Sequence, residues 1–199
     1  MKTIPLFLSF TAIWLGSVAL PAQAQPLIPG PAYVRSTVGA PWGVSANENA
    51  MDRVFGTGQW SDLRFETLDV PRFLSESTFV FLEGSDQGAQ NLENFLGAHL
   101  TEIENWVSTG GVLFLNAAPN VGDGMSFGFG VTLLFPDFCG AARAENVSHP
   151  IFQGPFIPVG TFWNGSIGLA TVSGPGITPL IANSDNGRFV LAERAYGNG

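Results

Sequence analysis

Apolar and polar residues recur with helical spacing in the middle of the chain. From Asp86 to the pair Gly110-Gly111, apolar residues return every three or four positions, and mainly acidic and amide residues lie between them. Ser85 or Asp86 can cap the start of such a helix, and the glycine pair ends it because glycine adopts a left-handed backbone at little steric cost. The pattern predicts one long amphipathic helix with the following apolar face: Leu92, Phe95, Leu96, Leu100, Ile103, Trp106 and Val107.

Two apolar runs flank this helix and predict parallel strands. Val112 to Leu115 is apolar at every position, which is typical of a strand buried on both faces of a sheet, and Thr78 to Leu82 precedes the helix. Together they predict a right-handed β-α-β unit. The predicted fold class is therefore α/β, with a mostly parallel sheet flanked by helices. Four earlier elements complete this half: a strand from Tyr33 to Val38, a helix from Ser45 to Phe55, a strand from Leu63 to Leu68 and a short helix from Pro71 to Ser77.

The pattern changes after Asn120, where glycine, proline and aromatic residues dominate and helical periodicity is absent. Short apolar runs between such residues indicate strands joined by turns. We predict a β-rich, Gly- and Pro-rich second half that elaborates the sheet and packs beside it within one domain. Its predicted strands are Val131 to Phe135, Phe156 to Val159, Gly168 to Val172, Thr178 to Ala182 and Arg188 to Arg194.

The first residues have the composition of a secretory signal peptide. Lys2 is followed by an apolar run from Ile4 to Leu20 and by the small-residue site Ala22-Gln23-Ala24. A membrane anchor is the competing interpretation, but the run is short and ends in a cleavage-type sequence. We expect cleavage near Ala24 and a mature protein that is secreted or held at the cell surface. Residues 25–31 then form an extended leader and residues 32–199 a single α/β domain, in which no stretch is long and apolar enough to span a membrane.

The charge of the chain narrows the class of partner, and its cysteine content excludes an intrachain disulfide. The chain has 16 acidic and 8 basic residues and a formal net charge of -8. Nucleic acids and anionic membranes need a basic surface, so neither is expected as a partner. Cys139 is the only cysteine, which excludes an intrachain disulfide despite the predicted export.

Three stretches of the sequence together resemble a known superfamily. They are IENWVSTGGVLFLN from Ile103 to Asn116, HPIFQG from His149 to Gly154, and GRFVLAERAYGNG from Gly187 to Gly199. With the order of elements, they resemble the class I glutamine amidotransferase-like superfamily, which has a flavodoxin-like fold, and in particular its non-catalytic members from secreted bacterial proteins. The resemblance covers most of the mature chain and implies an α/β sheet with a ligand site at its carboxyl edge.

The last residues predict a hairpin turn. The strand from Arg188 to Arg194 is followed by Gly197-Asn198-Gly199, whose Asn-Gly pair favours such a turn. A hairpin turn requires a second strand, and in the superfamily a Tyr-Gly-x-Gly turn precedes the last strand. We therefore expect the domain to be incomplete at its C-terminus.

The residue that would make a member of this superfamily catalytic is missing. Catalytic members carry a cysteine directly after the strand that corresponds to Val112 to Leu115, where a sharp turn exposes the thiol and backbone N–H groups hold the oxyanion. Here that turn reads Asn116-Ala117-Ala118-Pro119, with neither cysteine nor serine. The resemblance therefore implies a protein without catalytic residues, with a binding or structural role.

The residues expected to form a ligand site follow the predicted strands. In doubly wound folds the carboxyl ends of parallel strands form the ligand site. Asp123 also lies near a strand end, and carboxylates with backbone carbonyls would suit calcium. The spacing matches no calcium loop, so solvated loop acids are the simpler interpretation and no cofactor is expected. The predicted site consists of Trp42, Glu83, Ser85, Asp86, Asn116 and Asn120.

An extracellular hydrolase of an ester, amide or glycan is the alternative function. It would use Ser85, or Glu83 and Asp86, with His149 as the base, and it requires His149 to reach Ser85. The sequence around Ser85 is not G-x-S-x-G, and helix capping explains the serine equally well.

Cys139, among aromatic residues, is interpreted as buried and inert. The partner of the protein, a ligand or another protein, stays open at this point.

Overall fold

The computed structural model describes residues 27–118, 124–156 and 160–199. The predicted signal peptide, Asn120, Asp123 and most of the predicted strand from Phe156 to Val159 lie outside these residues. The described part is a mixed α/β structure with two sheets, one parallel and one antiparallel.

The parallel sheet has four strands in the order β2-β1-β3-β4. The strands are β1 (Gly30–Arg35), β2 (Ser61–Arg64), β3 (Ser77–Glu83) and β4 (Val112–Asn116). They are connected by α1 (Ala46–Phe55), α2 (Val70–Glu76) and α3 (Ala89–Ser108). The predicted β-α-β unit around α3 and the parallel pairing of its strands are confirmed.

Two predicted strands end earlier than expected. The strand predicted to reach Val38 ends at Arg35. The strand predicted to reach Leu68 ends at Arg64 and passes into a 3-10 turn at Phe65–Thr67. A helix cap explains the second difference, because the Asp69 side chain accepts a hydrogen bond from the Arg72 N–H and starts α2 directly after this turn.

The prediction that β4 is buried on both faces is wrong. β4 is the edge strand of the parallel sheet, and its alternate residues Val112 and Phe114 are 54% and 37% exposed. The side chains of Leu113 and Leu115, on the other face, pack against the main core. The apolar run therefore has one covered face and one largely open face.

The second half forms a sheet of its own. We expected it to elaborate the parallel sheet, and in this respect the prediction is wrong. Its order is β5-β6-β9-β11-β10-β7-β8, and neighbouring strands are antiparallel. The predicted strand from Gly168 to Val172 spans the end of one strand, a turn and the start of the next. The strands are β5 (Met125–Gly128), β6 (Val131–Leu134), β7 (Cys139–Ala144), β8 (Phe162–Gly168), β9 (Thr171–Ser173), β10 (Thr178–Asn183) and β11 (Phe189–Glu193).

Helix α3 contributes to a core that both sheets share. Its buried residues Leu92, Phe95 and Ile103 belong to one apolar cluster with Val80 of β3 and Phe127 of β5. The opposite face of the parallel sheet has a smaller cluster under α1, made by Tyr33, Met51 and Phe81. Helices thus cover both faces of the parallel sheet, as predicted.

A buried carboxylate holds the loops of the antiparallel sheet together. Asp137 accepts hydrogen bonds from the Thr171 hydroxyl at 2.6 Å, the Arg188 guanidinium at 2.9 Å and the Asn186 amide at 3.2 Å. Burial raises the pKa of Asp137. These hydrogen bonds and the positive charge of Arg188 lower the pKa by more than burial raises it, so the net shift is downward. The ionised carboxylate is therefore the form that stabilises the fold.

Candidate functional site

The predicted site lies where the carboxyl ends of β1, β3 and β4 meet. Glu83 and Asn116 are the last residues of β3 and β4, and their Cα positions are paired in the sheet. Trp42 lies in a 3-10 turn, Pro41–Gly43, in the loop after β1. Ser85 and Asp86 lie in the short connection from β3 to α3. Five of the six predicted residues are therefore at this edge, and the sixth, Asn120, is outside the described residues.

Glu83 is buried and accepts three hydrogen bonds from other groups of the fold. Its side chain is 1% exposed. One carboxylate oxygen accepts from the Ser85 N–H at 2.6 Å, and the other accepts from the side-chain amides of Asn47 and Asn116, each at 2.8 Å. Both oxygens thus serve to connect β3, β4 and α1. Glu83 orders the edge and does not present a free oxygen to a ligand.

Ser85 is not arranged as a nucleophile. The residue is 4% exposed, and its hydroxyl oxygen accepts a hydrogen bond from the Asn116 amide at 3.2 Å. An amide nitrogen cannot remove the serine proton, so this contact does not activate the hydroxyl. The prediction that Ser85 caps the helix is also not met, because the N-cap residue of α3 is Gly88 and no side chain caps it.

His149 has partners in the antiparallel sheet. Its Nε2 atom lies 3.1 Å from a carboxylate oxygen of Glu193, and its Nδ1 atom accepts a hydrogen bond from the Ile151 N–H at 3.3 Å. It begins the 3-10 turn Pro150–Phe152. The structure therefore pairs His149 with Glu193 and Ser85 with Asn116, and the hydrogen bond between His149 and Ser85 that a hydrolase requires is absent from the described contacts.

Asp86 links three loops at the edge. Its N–H donates to the Ala118 carbonyl at 2.9 Å, and its carboxylate accepts from the Trp42 N–H at 3.4 Å. Both Asp86 and Trp42 have left-handed backbones, with φ of 53° and 56°. Aspartate tolerates this conformation, whereas it is unusual for a bulky residue such as tryptophan. The strained turn leaves the Trp42 side chain 47% exposed beside the loop after β3.

A small pocket lies between the loops after β1 and β3, at the N-terminus of α3. Its volume is about 160 Å³, and residues 38–41, 43 and 85–88 line it. The lining residues include three glycines, at positions 39, 43 and 88, and the polar residues Ser85, Asp86 and Gln87. The pocket can therefore offer both hydrogen-bond donors and acceptors to a small polar molecule.

Two features of this edge were not predicted from the sequence. Asn47 of α1 reaches across to Glu83, and its position on the polar face of a helix was the only available signal. Glu66 accepts hydrogen bonds from the Ser36 hydroxyl, the Thr37 N–H and the Asn91 amide. Burial raises the pKa of Glu66, but the hydrogen bonds from Ser36 and Thr37 outweigh it and lower the pKa overall. Glu66 thereby holds the loop after β1 against α3.

Within the part of the chain that the structure describes, neither a cluster of metal ligands nor a reactive thiol is found. No group of three or more His, Cys, Asp or Glu side chains in that part could hold a metal ion. Cys139 is buried, and its thiol contacts the Ala141 carbonyl at 3.1 Å. Burial raises the pKa of this thiol, which disfavours the reactive thiolate.

None of the described helices has the length and apolar character needed to cross a membrane.

Comparison of the chain with protein-family models, with curated proteins and with solved structures found no match.

Proposed function

We propose that this protein is an exported, non-catalytic binding domain of the class I glutamine amidotransferase-like type, and that its ligand site is the pocket beside Asp86. The observation that carries the proposal is that the sheet edge combines buried reactive groups with an open polar pocket. The groups that could perform chemistry, Glu83 and Ser85, are buried and engaged with other protein groups. The pocket next to them is open and lined by polar atoms.

The hydrogen bonds at the edge argue against catalysis by these residues. A general base needs a free lone pair within reach of the proton that it removes. Glu83 is 1% exposed and its oxygens already accept three hydrogen bonds from protein donors, so a substrate proton cannot reach them, and the hydroxyl of Ser85 has an amide as its neighbour. The turn after β4 supplies no thiol or hydroxyl either. Binding is therefore the role that this geometry supports.

Charge favours a neutral polar ligand. The N-terminus of α3 carries a partial positive charge, which the carboxylate of Asp86 offsets. The net charge of -8 disfavours the approach of anions. A hydroxyl-rich molecule such as a glycan fragment can donate to the Asp86 carboxylate and accept from backbone N–H groups. Trp42 does not line the pocket but lies between two lining residues, Pro41 and Gly43, so a part of the ligand that extends beyond the pocket can stack on its exposed ring. The predicted signal peptide would place the domain where such molecules occur, outside the cell or on its surface.

Thermal melting of the mature protein tests this function. The panel contains neutral oligosaccharides, cell-wall fragments and divalent cations, because a ligand that binds only the native state must raise the melting temperature. A ligand at about 100 times its Kd stabilises the fold by about 2.7 kcal/mol, which is readily measured. We expect a neutral glycan to raise the melting temperature.

Two matched variants assign such a shift to the pocket. Asp86→Asn removes the charge and keeps a residue type that tolerates the left-handed backbone, so we expect it to abolish the shift. Asp185→Asn makes the same change at an exposed turn of the antiparallel sheet and should leave the shift intact. The proposal fails if nothing in the panel shifts the melting temperature, or if both variants respond equally.

A further inference from the structure

Trp42 has a backbone conformation that is unfavourable for a bulky residue. Its φ of 56° and ψ of 16° lie in the left-handed region, where the Cβ atom comes too close to the following carbonyl oxygen. Phe129 has a similar φ of 55°, but its ring packs against the main core and against the ring of Tyr196. Packing within the fold therefore offsets the strain at Phe129.

The ring of Trp42 has no comparable role in the fold. Within the described residues, Trp42 neither belongs to nor packs against either apolar cluster, and it is 47% exposed. A glycine or an asparagine at this position would avoid the strain. Strained residues that their surroundings hold in place cluster at ligand-binding sites. The exposed ring therefore indicates a contact with a molecule outside the fold.

Hydrogen bonds fix the loop that carries Trp42. Near the start of the loop, the Thr37 N–H donates to the Glu66 carboxylate at 3.1 Å. The Trp42 N–H donates to the Asp86 carboxylate at 3.4 Å, which ties the loop to the pocket. Because the loop is already ordered, a ligand that stacks on the ring loses little affinity to ordering it.

The size of the pocket beside Asp86 limits what it can hold. Its volume of about 160 Å³ is smaller than the roughly 300 Å³ at which sites for drug-sized ligands begin. The pocket therefore accommodates one small polar unit, such as a single sugar ring. Trp42 is outside the lining, although Pro41 and Gly43 on either side of it belong to the lining. A ligand that contacts both the pocket and the ring of Trp42 therefore has at least two units.

The pocket and the tryptophan ring differ in chemistry. The pocket presents polar groups, among them the side chains of Asp86 and Gln87, whereas the indole of Trp42 presents a flat apolar face. A pyranose ring with equatorial hydroxyl groups suits both, because its hydroxyls lie at the edge and its C–H groups form two apolar faces. One such ring can be held by hydrogen bonds in the pocket while the next stacks on the indole.

We propose that Trp42 is a second binding position, and that the ligand is a neutral glycan of at least two pyranose rings with equatorial hydroxyl groups. The inference rests on the proposed function, since the pocket beside Asp86 holds the first ring. Trp42 stacks on the second ring and thereby selects glycan chains over single sugars.

Titrations followed by NMR test this position on the mature protein. The probes are glucose, N-acetylglucosamine and the β-1,4-linked dimer of each. Trp42→Asn removes the ring and suits the left-handed backbone, whereas Trp42→Phe keeps an aromatic ring. Phe162→Asn is the control, because Phe162 is a similarly exposed aromatic residue, at 55%, on β8 of the antiparallel sheet. The melting temperature of each variant is measured without sugar.

We expect the native protein to bind a dimer about tenfold more tightly than the corresponding monosaccharide. Trp42→Asn should bind the two equally, whereas Trp42→Phe and Phe162→Asn should keep most of the preference. The melting temperature of Trp42→Asn should stay within about 5 °C of the native value, because relief of backbone strain offsets the packing that the half-buried ring loses.

Three results would overturn the second position. The first is equal binding of monosaccharide and dimer by the native protein, or an unchanged preference in Trp42→Asn; in either case the pocket itself still binds sugar and the proposed function stands. The second is a fall in the melting temperature of Trp42→Asn by more than about 5 °C, which would show that the ring supports the fold. The third is that none of the four sugars binds the native protein, and the thermal-melting panel then decides separately on the pocket.

Discussion

Replacing Glu83 with glutamine tests the view that this buried carboxylate holds the sheet edge together. Glu83→Gln keeps the size of the side chain but exchanges one acceptor oxygen for a donor NH₂ group. In the native protein one oxygen accepts from the Ser85 N–H and the other from two asparagine amides. The glutamine side chain can satisfy only one of these two sets of donors.

The expected loss in free energy of unfolding depends on which hydrogen-bond partners the Ser85, Asn47 and Asn116 donors keep in the Glu83→Gln variant. If the glutamine oxygen faces the two asparagines, the Ser85 N–H meets an NH₂ group and loses its acceptor. In the other orientation the amides of Asn47 and Asn116 keep weaker contacts, to the Tyr33 hydroxyl at 3.3 Å and the Ser85 hydroxyl at 3.2 Å. Leaving a buried donor without a partner costs about 1–3 kcal/mol, so we expect a loss in this range. Glu83→Ala leaves three donors without their acceptor and creates a cavity, and should cost about 2–5 kcal/mol.

Urea unfolding of the two variants and of a matched control measures these free energies. Glu102→Gln is the control, because Glu102 is half-exposed on α3 and its pair with His99 spans 3.7 Å. Surface changes of this kind stay within about 0.5 kcal/mol of the native stability. At about 2–4 °C per kcal/mol, the Glu83→Gln variant should melt roughly 2–12 °C below the native protein. A Glu83→Gln variant as stable as the control would refute the assigned role of the carboxylate.

Three further predictions follow from other parts of the fold. Because the pKa of Asp137 is lowered in the folded protein, its contribution to stability is complete above the unfolded pKa of about 3.9 and is lost as the pH falls through the folded pKa. Asp137→Asn should therefore flatten the acid limb of the stability profile, and an unchanged limb would contradict this. Cys139 should resist thiol reagents at pH 8 until the protein is unfolded, whereas rapid labelling of the native protein would show that it is accessible. Gly84→Ala should lower the free energy of unfolding by about 1–3 kcal/mol, because the added methyl group meets the Leu92 side chain. Gly97→Ala, on an open face of α3, should raise it by about 0.5–1 kcal/mol, and the opposite order of the two glycine variants in urea unfolding would refute the packing argument.

Some elements of the fold are determined by local pattern and could be predicted. The spacing of apolar residues along α3 is a property of the helix itself, so its presence and its apolar face are legible in the sequence. The runs that became β3 and β4 are short, apolar and bounded by turn residues, which suffices to predict strands joined by a crossover helix. Placing Glu83 and Asn116 together needed only the rule that the carboxyl ends of parallel strands lie at one edge.

Other features depend on residues far apart in the chain. Whether Val112 is buried depends on which strand lies next to β4, and an apolar run cannot reveal that β4 is an edge. The strand Cys139–Ala144 has a sequence of small residues with little strand preference, and its pairing with β8 and β10 stabilises it. The same reasoning applies to the antiparallel sheet as a whole, whose separation from the parallel sheet is a matter of pairing rather than of composition.

The hydrogen-bond partners of the candidate site residues were decided by the tertiary structure. The sequence by itself determined that Glu83 and Ser85 lie at a strand end, and that the turn after β4 has no nucleophile. It did not determine that Asn47 donates a hydrogen bond to the Glu83 carboxylate, or that His149 pairs with Glu193. The physical reason is that residue type and spacing are local, whereas hydrogen-bond partners and burial are set by which elements the folded chain brings together.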